Sequence, residues 1–458
     1  MGLGGSTGRH GGEESFACGS EEFGSVNPPI RVAGVCRMNK VLCSKAERIP
    51  QQLQADERAF SYFKGASRNG VGAIANRWHG ALKRTGFRPS PAVWDFVQFC
   101  LAVCSADLAS PRSTSADGWT RAIQLTVGLC EPLRWVPLKH RLEEMLKVLT
   151  GDYWTLIFND AGVEPPDGDG AYLQNDCVSL LSGGLDSLIG GINLAAEQRR
   201  PLFVSQLAHK DSARQRDYAG LLAGAGSHYQ WSHGISFKGA REASTRARSL
   251  AFYAFAVLAS TKINLPRPQI YIPENGFICI NPPLVPGRVS SLSTRTTHPL
   301  FIGTLQSVLD ELGISVELIL PYRFQTKGEM MQGCLDQDRL RELASDSTSC
   351  GRFRTYNRQH CGRCVPCLIR RAAFLAWGPG TDQTNYRFPS VLGSDKSGGP
   401  DDPMAVALAV LDAKQRGLDR FLGGTLAFAP IEERPDYRRV LQQGLAELEA
   451  VLVQDQLL

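Results

Sequence analysis

The sequence predicts an α/β protein, a parallel sheet with helices on both faces and a four-cysteine knuckle, preceded by a smaller α/β domain. Three observations predict it. Past residue 176, short apolar runs suited to buried strands alternate with helical patterns. Polar residues gather immediately after those runs, where ligands sit in such sheets. Four cysteines then crowd into residues 350 to 367.

The elements follow in chain order. Residues 1–55, opening MGLGGSTGRHGGEE, carry little periodicity and read as a flexible N-terminal segment. Its loose match to a Gly2 myristoylation signal is one that a Gly/Ser-rich tail produces by chance. Residues 56–160 read as an accessory α/β domain without an obvious catalytic cluster. There Ile123, Leu125, Val127 and Leu129 alternate with Gln124, Thr126 and Gly128, as in a half-buried strand. Leu138, Leu142, Met145, Leu146 and Leu149 follow at helical spacing, with Gly151 as the stop. Tyr153 to Phe158 is strand-like, and Trp94, Trp119, Trp135 and Trp154 read as core. Residues 161–176, rich in Pro, Gly and Asp, read as a linker. Strands are expected at 177–181, 201–207, 269–273 and 315–320, with a weaker one near 229–236, inside a domain spanning 177–395. Met404 to Arg416 and Asp436 to Leu452 are amphipathic helices in a C-terminal segment, 396–458, that brace the sheet or meet a partner.

The first strand of the second set runs into Ser182-Gly183-Gly184-Leu185-Asp186-Ser187. Glycines there permit positive φ and leave no side chain over a ligand. The helix that follows aims free N–H groups and its positive dipole end at the same place. Two serine hydroxyls complete an anion cradle, most naturally one for phosphates. It lacks the G-x-x-x-x-G-K-[ST] and G-x-G-x-x-G patterns; the bland alternative is an ordinary turn capped by Asp186 or Ser182. The second strand runs into Ala208-His209-Lys210 and the fourth into Glu274-Asn275-Gly276. The fifth ends in PYRFQTKGE, where Thr326 and Glu329 spell a capping box. Lys327 then starts a helix against its dipole, as a residue answering a phosphate would; a solvated lysine is the alternative. Arg246 and Arg248 in STRARS, and Arg295 and His298 in STRTTHP, suit phosphates or a substrate carboxylate, or are plain surface charge.

Cys361, Cys364 and Cys367 have C-x-x-C-x-x-C spacing, and Cys350 lies upstream. Thiolates so spaced grip one tetrahedral ion, and four close its shell, so zinc here is structural rather than catalytic. An iron–sulfur cluster and scattered free thiols are the alternatives, and His360 is a substitute ligand. The stretch from Cys350 to Arg371 carries six arginines and no acid, which balance the thiolates or receive an acidic partner.

Ser182 to Ser187 resembles the SGG-x-DS signature of the PP-loop ATP pyrophosphatases, which hold the β- and γ-phosphates of ATP while a substrate oxygen attacks the α-phosphorus. Together with PY-x-x-x-TK-x-E and the S-C…C-G-x-C-x-x-C run, residues 177 to 378 resemble 7-cyano-7-deazaguanine synthase. Within that family the long N-terminal domain resembles the branch in bacterial anti-phage defence operons, the Qat type in particular. The resemblance implies ATP-dependent adenylation of 7-carboxy-7-deazaguanine or a related deazapurine, releasing pyrophosphate. The acyl group then passes to an amine, from ammonia or an operon-encoded partner protein. It implies Asp186, Ser187 and Lys327 as catalytic, Ser182, Gly183, Gly184 and Leu185 as further nucleotide contacts, and Cys350, Cys361, Cys364 and Cys367 as ligands of Zn2+; ATP and Mg2+ complete the set. From their place at the strand ends or in the two basic loops, and not from the resemblance, His209, Arg246 and Arg248 are taken as additional nucleotide contacts, and Glu274, Asn275, Arg295 and His298 as substrate contacts. STRARS and STRTTHP stand where the synthases carry V-P-G-R-N-type and Tyr-Pro-Asp-Cys-Arg-type loops, which puts the acceptor in doubt. A thiolating tRNA enzyme using Cys279 or Cys334, and a non-catalytic nucleotide-sensing scaffold, are the competing readings.

Bulk properties set limits. With 458 residues the chain holds two or three domains. A formal charge of +5 is too weak to argue for nucleic acid by itself, and that partner stays open. Thirteen cysteines without a disulfide framework fit the cytoplasm. The longest apolar run, Leu250 to Ala259, is about half of a membrane span, so no membrane partner is expected. A homodimer is allowed for.

Overall fold

The computed structural model describes residues 38–65, 70–207, 212–285, 295–392 and 402–458. Two five-stranded parallel sheets carry the fold. The first contains β1 (Met38–Ser44), β2 (Glu57–Tyr62), β3 (Val71–Ile74), β4 (Ala122–Gly128) and β5 (Tyr153–Asn159), in the order β3-β2-β1-β4-β5. The second contains β6 (Cys177–Leu180), β7 (Pro201–Gln206), β8 (His228–Trp231), β9 (Gln269–Tyr271) and β10 (Glu317–Ile319), in the order β10-β9-β6-β7-β8. Counted within its own half, each sheet runs 3-2-1-4-5. All the expected strands of the second half are present, the weak one at 228–231 included.

Helices of the first half are α1 (Trp78–Arg84), α2 (Pro91–Ala109) and α3 (Lys139–Thr150). The second half adds α4 (Leu185–Ala196), α5 (Ser212–Ala223), α6 (Arg248–Ser260), α7 (Gly276–Ile280), α8 (Pro299–Glu311), α9 (Lys327–Gln332), α10 (Gln337–Leu343) and α11 (Val365–Trp377). The chain closes with α12 (Asp402–Arg416), α13 (Leu418–Leu422) and α14 (Arg434–Gln454). Corresponding helices of the two halves meet: α2 packs on α6, and α3 on α8. One hydrophobic cluster therefore runs through both sheets.

Two expectations need correction. The segment 1–55 is not flexible throughout, because Met38–Ser44 is the central strand of the first sheet. Val41 to Ser44 are all buried, so MNKVLCS lacks the alternation that announces a half-exposed strand. Leu250–Ala259 remains the longest unbroken apolar run, but α2, interrupted by Asp95, Gln98, Ser105 and Asp107, is the longer apolar helix. Ser90 caps α2 by accepting from Val93 N (3.4 Å), and proline follows at N1. By length and composition α2 could cross a membrane, but 94% of that window is buried inside the fold. Helices buried on every side have no polar stripe, which hides them from a periodicity search. Of the four tryptophans, Trp94, Trp135 and Trp154 are core, whereas Trp119 is 38% exposed.

Residues 161–176 are irregular, yet bonded along their length. Lys45 N donates to Ala161 O (2.8 Å), Gly162 N to Leu129 O (3.2 Å), Gly168 N to Phe87 O (3.0 Å) and Leu173 N to Lys262 O (2.7 Å). Ala161 and Gly162 thereby cross the carboxyl ends of β1 and β4. A Cβ on Gly128 would lie 2.4 Å from Ala161 O, so glycine is required for that approach.

A buried ion network staples the halves together. Arg121 reaches Asp107 (2.6 Å) and Asp152 (2.5 Å), and Arg112 reaches Asp152 (2.7 Å). Asp107 also accepts from Arg246 N (2.7 Å) and Ala247 N (2.8 Å), just ahead of α6. Removing one member leaves the others as uncompensated buried charge. Asp152→Ala is expected to cost about 3–5 kcal/mol, read as a lower denaturant midpoint; an unchanged midpoint would show the network to be dispensable.

Candidate active site and metal centre

In a 3-2-1-4-5 sheet the crevice opens between the first and fourth strands, at their carboxyl ends. For the second sheet these are β6 and β9. β6 delivers the Ser182–Ser187 turn there, and β9 delivers Glu274 and Asn275. Gly183 sits at φ 87°, the left-handed region the turn requires. Ser187 Oγ donates to Gly184 O (2.9 Å) and accepts from Ser182 N (3.2 Å), while Gly184 N donates to Ser182 Oγ (3.2 Å). The serines thus lock the turn from within. The first turn of α4 keeps the unpaired amides of any helix start aimed over it.

Asp186, in that first turn, is buried. Its carboxylate accepts from Asn275 Nδ2 (2.6 Å), from Asn275 N (3.3 Å) and from the Lys327 ammonium. Burial opposes ionisation of Asp186, but the charge and hydrogen bond of Lys327, with Asn275, hold its pKa below the usual carboxylate range. Glu274 has the opposite fate. Burial first, and Asp186 beside it second, push its pKa up to about 8, so at neutral pH it is protonated. The resting cluster is therefore one cation, one anion and one neutral acid.

Lys327 opens α9 behind a complete capping box of Thr326 and Glu329. The box is held in turn by α14: Thr326 Oγ1 donates to Glu447 Oε1 (2.5 Å). Ser182, Gly184, Asp186, Ser187, Glu274 and Lys327 line one cleft of about 290 Å³. Joined to it through Ser182, Ser187 and Glu274 is a narrower slot of about 80 Å³, walled by Ser249, Phe252, Tyr253, Thr296 and Thr297.

Sequence reading missed the far wall of the cleft: Thr348, Ser349, Pro366 and Ile369. Thr348 N donates to Gly183 O (3.0 Å), so this wall is tied to the turn itself. The signal was adjacency to Cys350. Cys350, Cys361, Cys364 and Cys367 bring their sulfurs within 4.8 Å of one another. Cys350 and Cys364 are 3.9 Å apart, and Cys361 and Cys367 3.8 Å. Four sulfurs held at Zn–S distance on a tetrahedron stand about 3.8 Å apart, so the four residues fit a metal such as zinc. Arg352 N and Cys361 N donate to Cys350 Sγ (3.3 Å each), and Cys364 N to Cys361 Sγ (3.2 Å), as in a backbone knuckle around thiolates. His360 takes no part, since its Nε2 accepts from Ser349 N (3.1 Å). The fully buried Arg370 binds Ser347 Oγ (2.8 Å) and Ala344 O (2.9 Å), fixing the strap rather than waiting for a partner.

Other expected contacts lie elsewhere. Arg246 donates to Thr150 O (2.8 Å) and Arg295 to Val148 O (3.1 Å), two cations at the carboxyl end of α3. Arg246 also stacks over Trp119. His298 caps α8, its Nδ1 accepting from Leu300 N (3.3 Å). None of the three lines the cleft around Asp186. Arg248 is exposed at the first residue of α6, beside Ser249 of the slot. His209 lies outside the described residues. Cys279 and Cys334 are buried, and burial raises both thiols above the ordinary value.

No model of a known protein family, no curated protein and no solved structure matches this chain.

Two measurements test the site's supports. Purified protein should carry one zinc per chain by elemental analysis, and Cys364→Ser should lose it together with thermal stability; a metal-free wild type of equal stability would remove the knuckle from the argument. Glu447 supplies a pH test. Burial pushes its pKa up to about 7 from the ordinary 4.5. The fold thus favours the protonated acid, a contribution present below about 4.5 and lost as pH rises through about 7. Its size is on the order of 3 kcal/mol. Glu447→Gln should flatten the fall in melting temperature between those values; an unaltered slope would remove Glu447 as its source.

Proposed function

We propose that the cleft binds ATP and adenylates a carboxylate, with 7-carboxy-7-deazaguanine or a related deazapurine as the acid. One observation carries the reading: a glycine-bearing turn at a helix start, a lysine and two carboxyl groups share a single cleft at the switch point of a parallel sheet. In this reading the turn amides and Lys327 take the β- and γ-phosphates, which gives the buried lysine a reason to start a helix against its dipole. A carboxylate oxygen of the substrate attacks the α-phosphorus as the bond to pyrophosphate breaks. An amine, from ammonia or a partner protein of an anti-phage operon, then attacks the acyl carbon and AMP leaves. Asp186 and Glu274 are the groups that would hold Mg2+, which supplies charge neutralisation at the phosphates. The slot beside Phe252 and Tyr253 offers aromatic faces to a flat base, and Ser249, Thr296 and Thr297 offer polar edges.

The buried, raised thiols of Cys279 and Cys334 argue against a thiolating enzyme, which needs reactive thiolates. Among the described residues the cysteines are free of disulfides, which suits a reducing compartment such as the cytoplasm. Incubation with ATP and 7-carboxy-7-deazaguanine should release AMP and pyrophosphate, with Asp186→Asn and Lys327→Ala each slower by about 100-fold or more. Release of ADP, or full activity in both variants, would overturn the proposal; ATP binding without turnover would favour a nucleotide-sensing scaffold.

A further inference from the structure

A second cleft, of about 390 Å³, shares no lining residue with the cleft around Asp186 or its slot. Its walls are mostly apolar, formed by Ile280, Pro283, Phe421 and Phe428, and its polar members include Arg295 and His298. Arg295 spends Nη1 on Val148 O (3.1 Å), whereas Nε is sealed from water without a partner. Among the described residues no carboxylate pairs with it. The charge that bears on it is Arg246, which with burial lowers its pKa to about 10. With Nη1 spent and Nε sealed off, Nη2 is the donor left to answer an anion from the cleft that Arg295 lines. His298 adds a donor. Its Nδ1 accepts from Leu300 N, so the proton of the neutral ring resides on Nε2, and burial keeps the ring neutral with a pKa near 4. Phe428, 56% exposed, is an aromatic wall.

One cation, one neutral donor and apolar walls define the ligand. A phosphate dianion would lack a second charge here, and a neutral apolar molecule would leave Arg295 unanswered. We propose that this cleft binds a monoanionic carboxylate attached to an apolar or aromatic body, held by Arg295 and His298 with the body against Phe421 and Phe428. Such a ligand is either a free small acid or the carboxyl terminus of a peptide ending in a large apolar residue. The proposal stands independently of the nucleotide reading.

Calorimetric titration of the full-length chain tests it with four probes: N-acetylphenylalanine, its amide, and a tetrapeptide ending in phenylalanine with a free or an amidated terminus. Each free acid should bind at least about tenfold tighter than its amide. Whichever acid binds more tightly identifies the source. Arg295→Gln should abolish the preference. Because Arg295 also braces α3, Gly424→Trp is the second variant: a Cβ there meets nothing within 4 Å, so the indole can occupy the cleft while Arg295 stays in place. It should block the acids and leave the melting temperature unchanged. Equal binding of acid and amide, no binding at millimolar concentration, or wild-type affinity in a folded Gly424→Trp protein would overturn the assignment.

Discussion

The contact between Lys327 and Asp186 is the constraint around which the second half is arranged. It joins segments 141 residues apart at the one place where the sheet opens. Neither group would be stable there alone, because a buried charge without its partner costs several kcal/mol. Asn275 completes the arrangement with two hydrogen bonds to the same carboxylate, and Glu274 avoids adding a second anion by keeping its proton. The three groups thereby offset one another's charge. Under the proposed function a polyphosphate would offer Lys327 a different anion, and a divalent cation would offer Asp186 and Glu274 a different partner.

Holding that pair in register takes scaffolding from distant parts of the chain. Lys327 is aimed by a capping box whose threonine leans on Glu447, so α14 reaches the site through two hydrogen bonds. On the opposite wall, Thr348 is tied to Gly183, and two residues later the chain enters the cysteine knuckle. A closed four-thiolate shell has no position for chemistry. What a metal there does mechanically is pin an irregular strap to a turn whose own shape depends on a left-handed glycine. The cysteine knuckle and the Ser182–Ser187 turn are thereby one mechanical unit, although they read as separate motifs along the chain.

The first half shows the same topology with its crevice crossed by backbone. Its sheet has the same strand order, but the crevice between β1 and β4 is crossed by Ala161 and Gly162, bonded to Lys45 and Leu129. Gly128 and Gly162 are small because backbone lies 2.4 Å from where a Cβ would stand, whereas Gly184 of the second half lines the cleft. The faces of α6 and α8 are covered by α2 and α3 of the same chain. The first half therefore acts as a built-in packing partner for the second, and the ion network about Arg121 and Asp107 fixes their register.

Legibility in the sequence followed local chemistry. Ser182 to Ser187, the Thr326–Glu329 box and the four cysteines each announce themselves within a few residues, and the strands after residue 176 are short apolar runs bounded by turn residues. Hidden were β1 and α2, whose burial on every side erases the polar half of any periodic pattern. Arg246 and Arg295 illustrate a different limit. An arginine in STRARS or STRTTHP suits a phosphate or a carboxylate until the carbonyls of Thr150 and Val148, about a hundred or more residues earlier, are seen to take one of its donors. Residue type tells which anion a side chain could answer; the tertiary fold decides which acceptor reaches it first. Where the fold leaves a guanidinium edge unanswered, as at Arg295, the ordinary rule that buried donors find partners becomes a reason to look for a ligand.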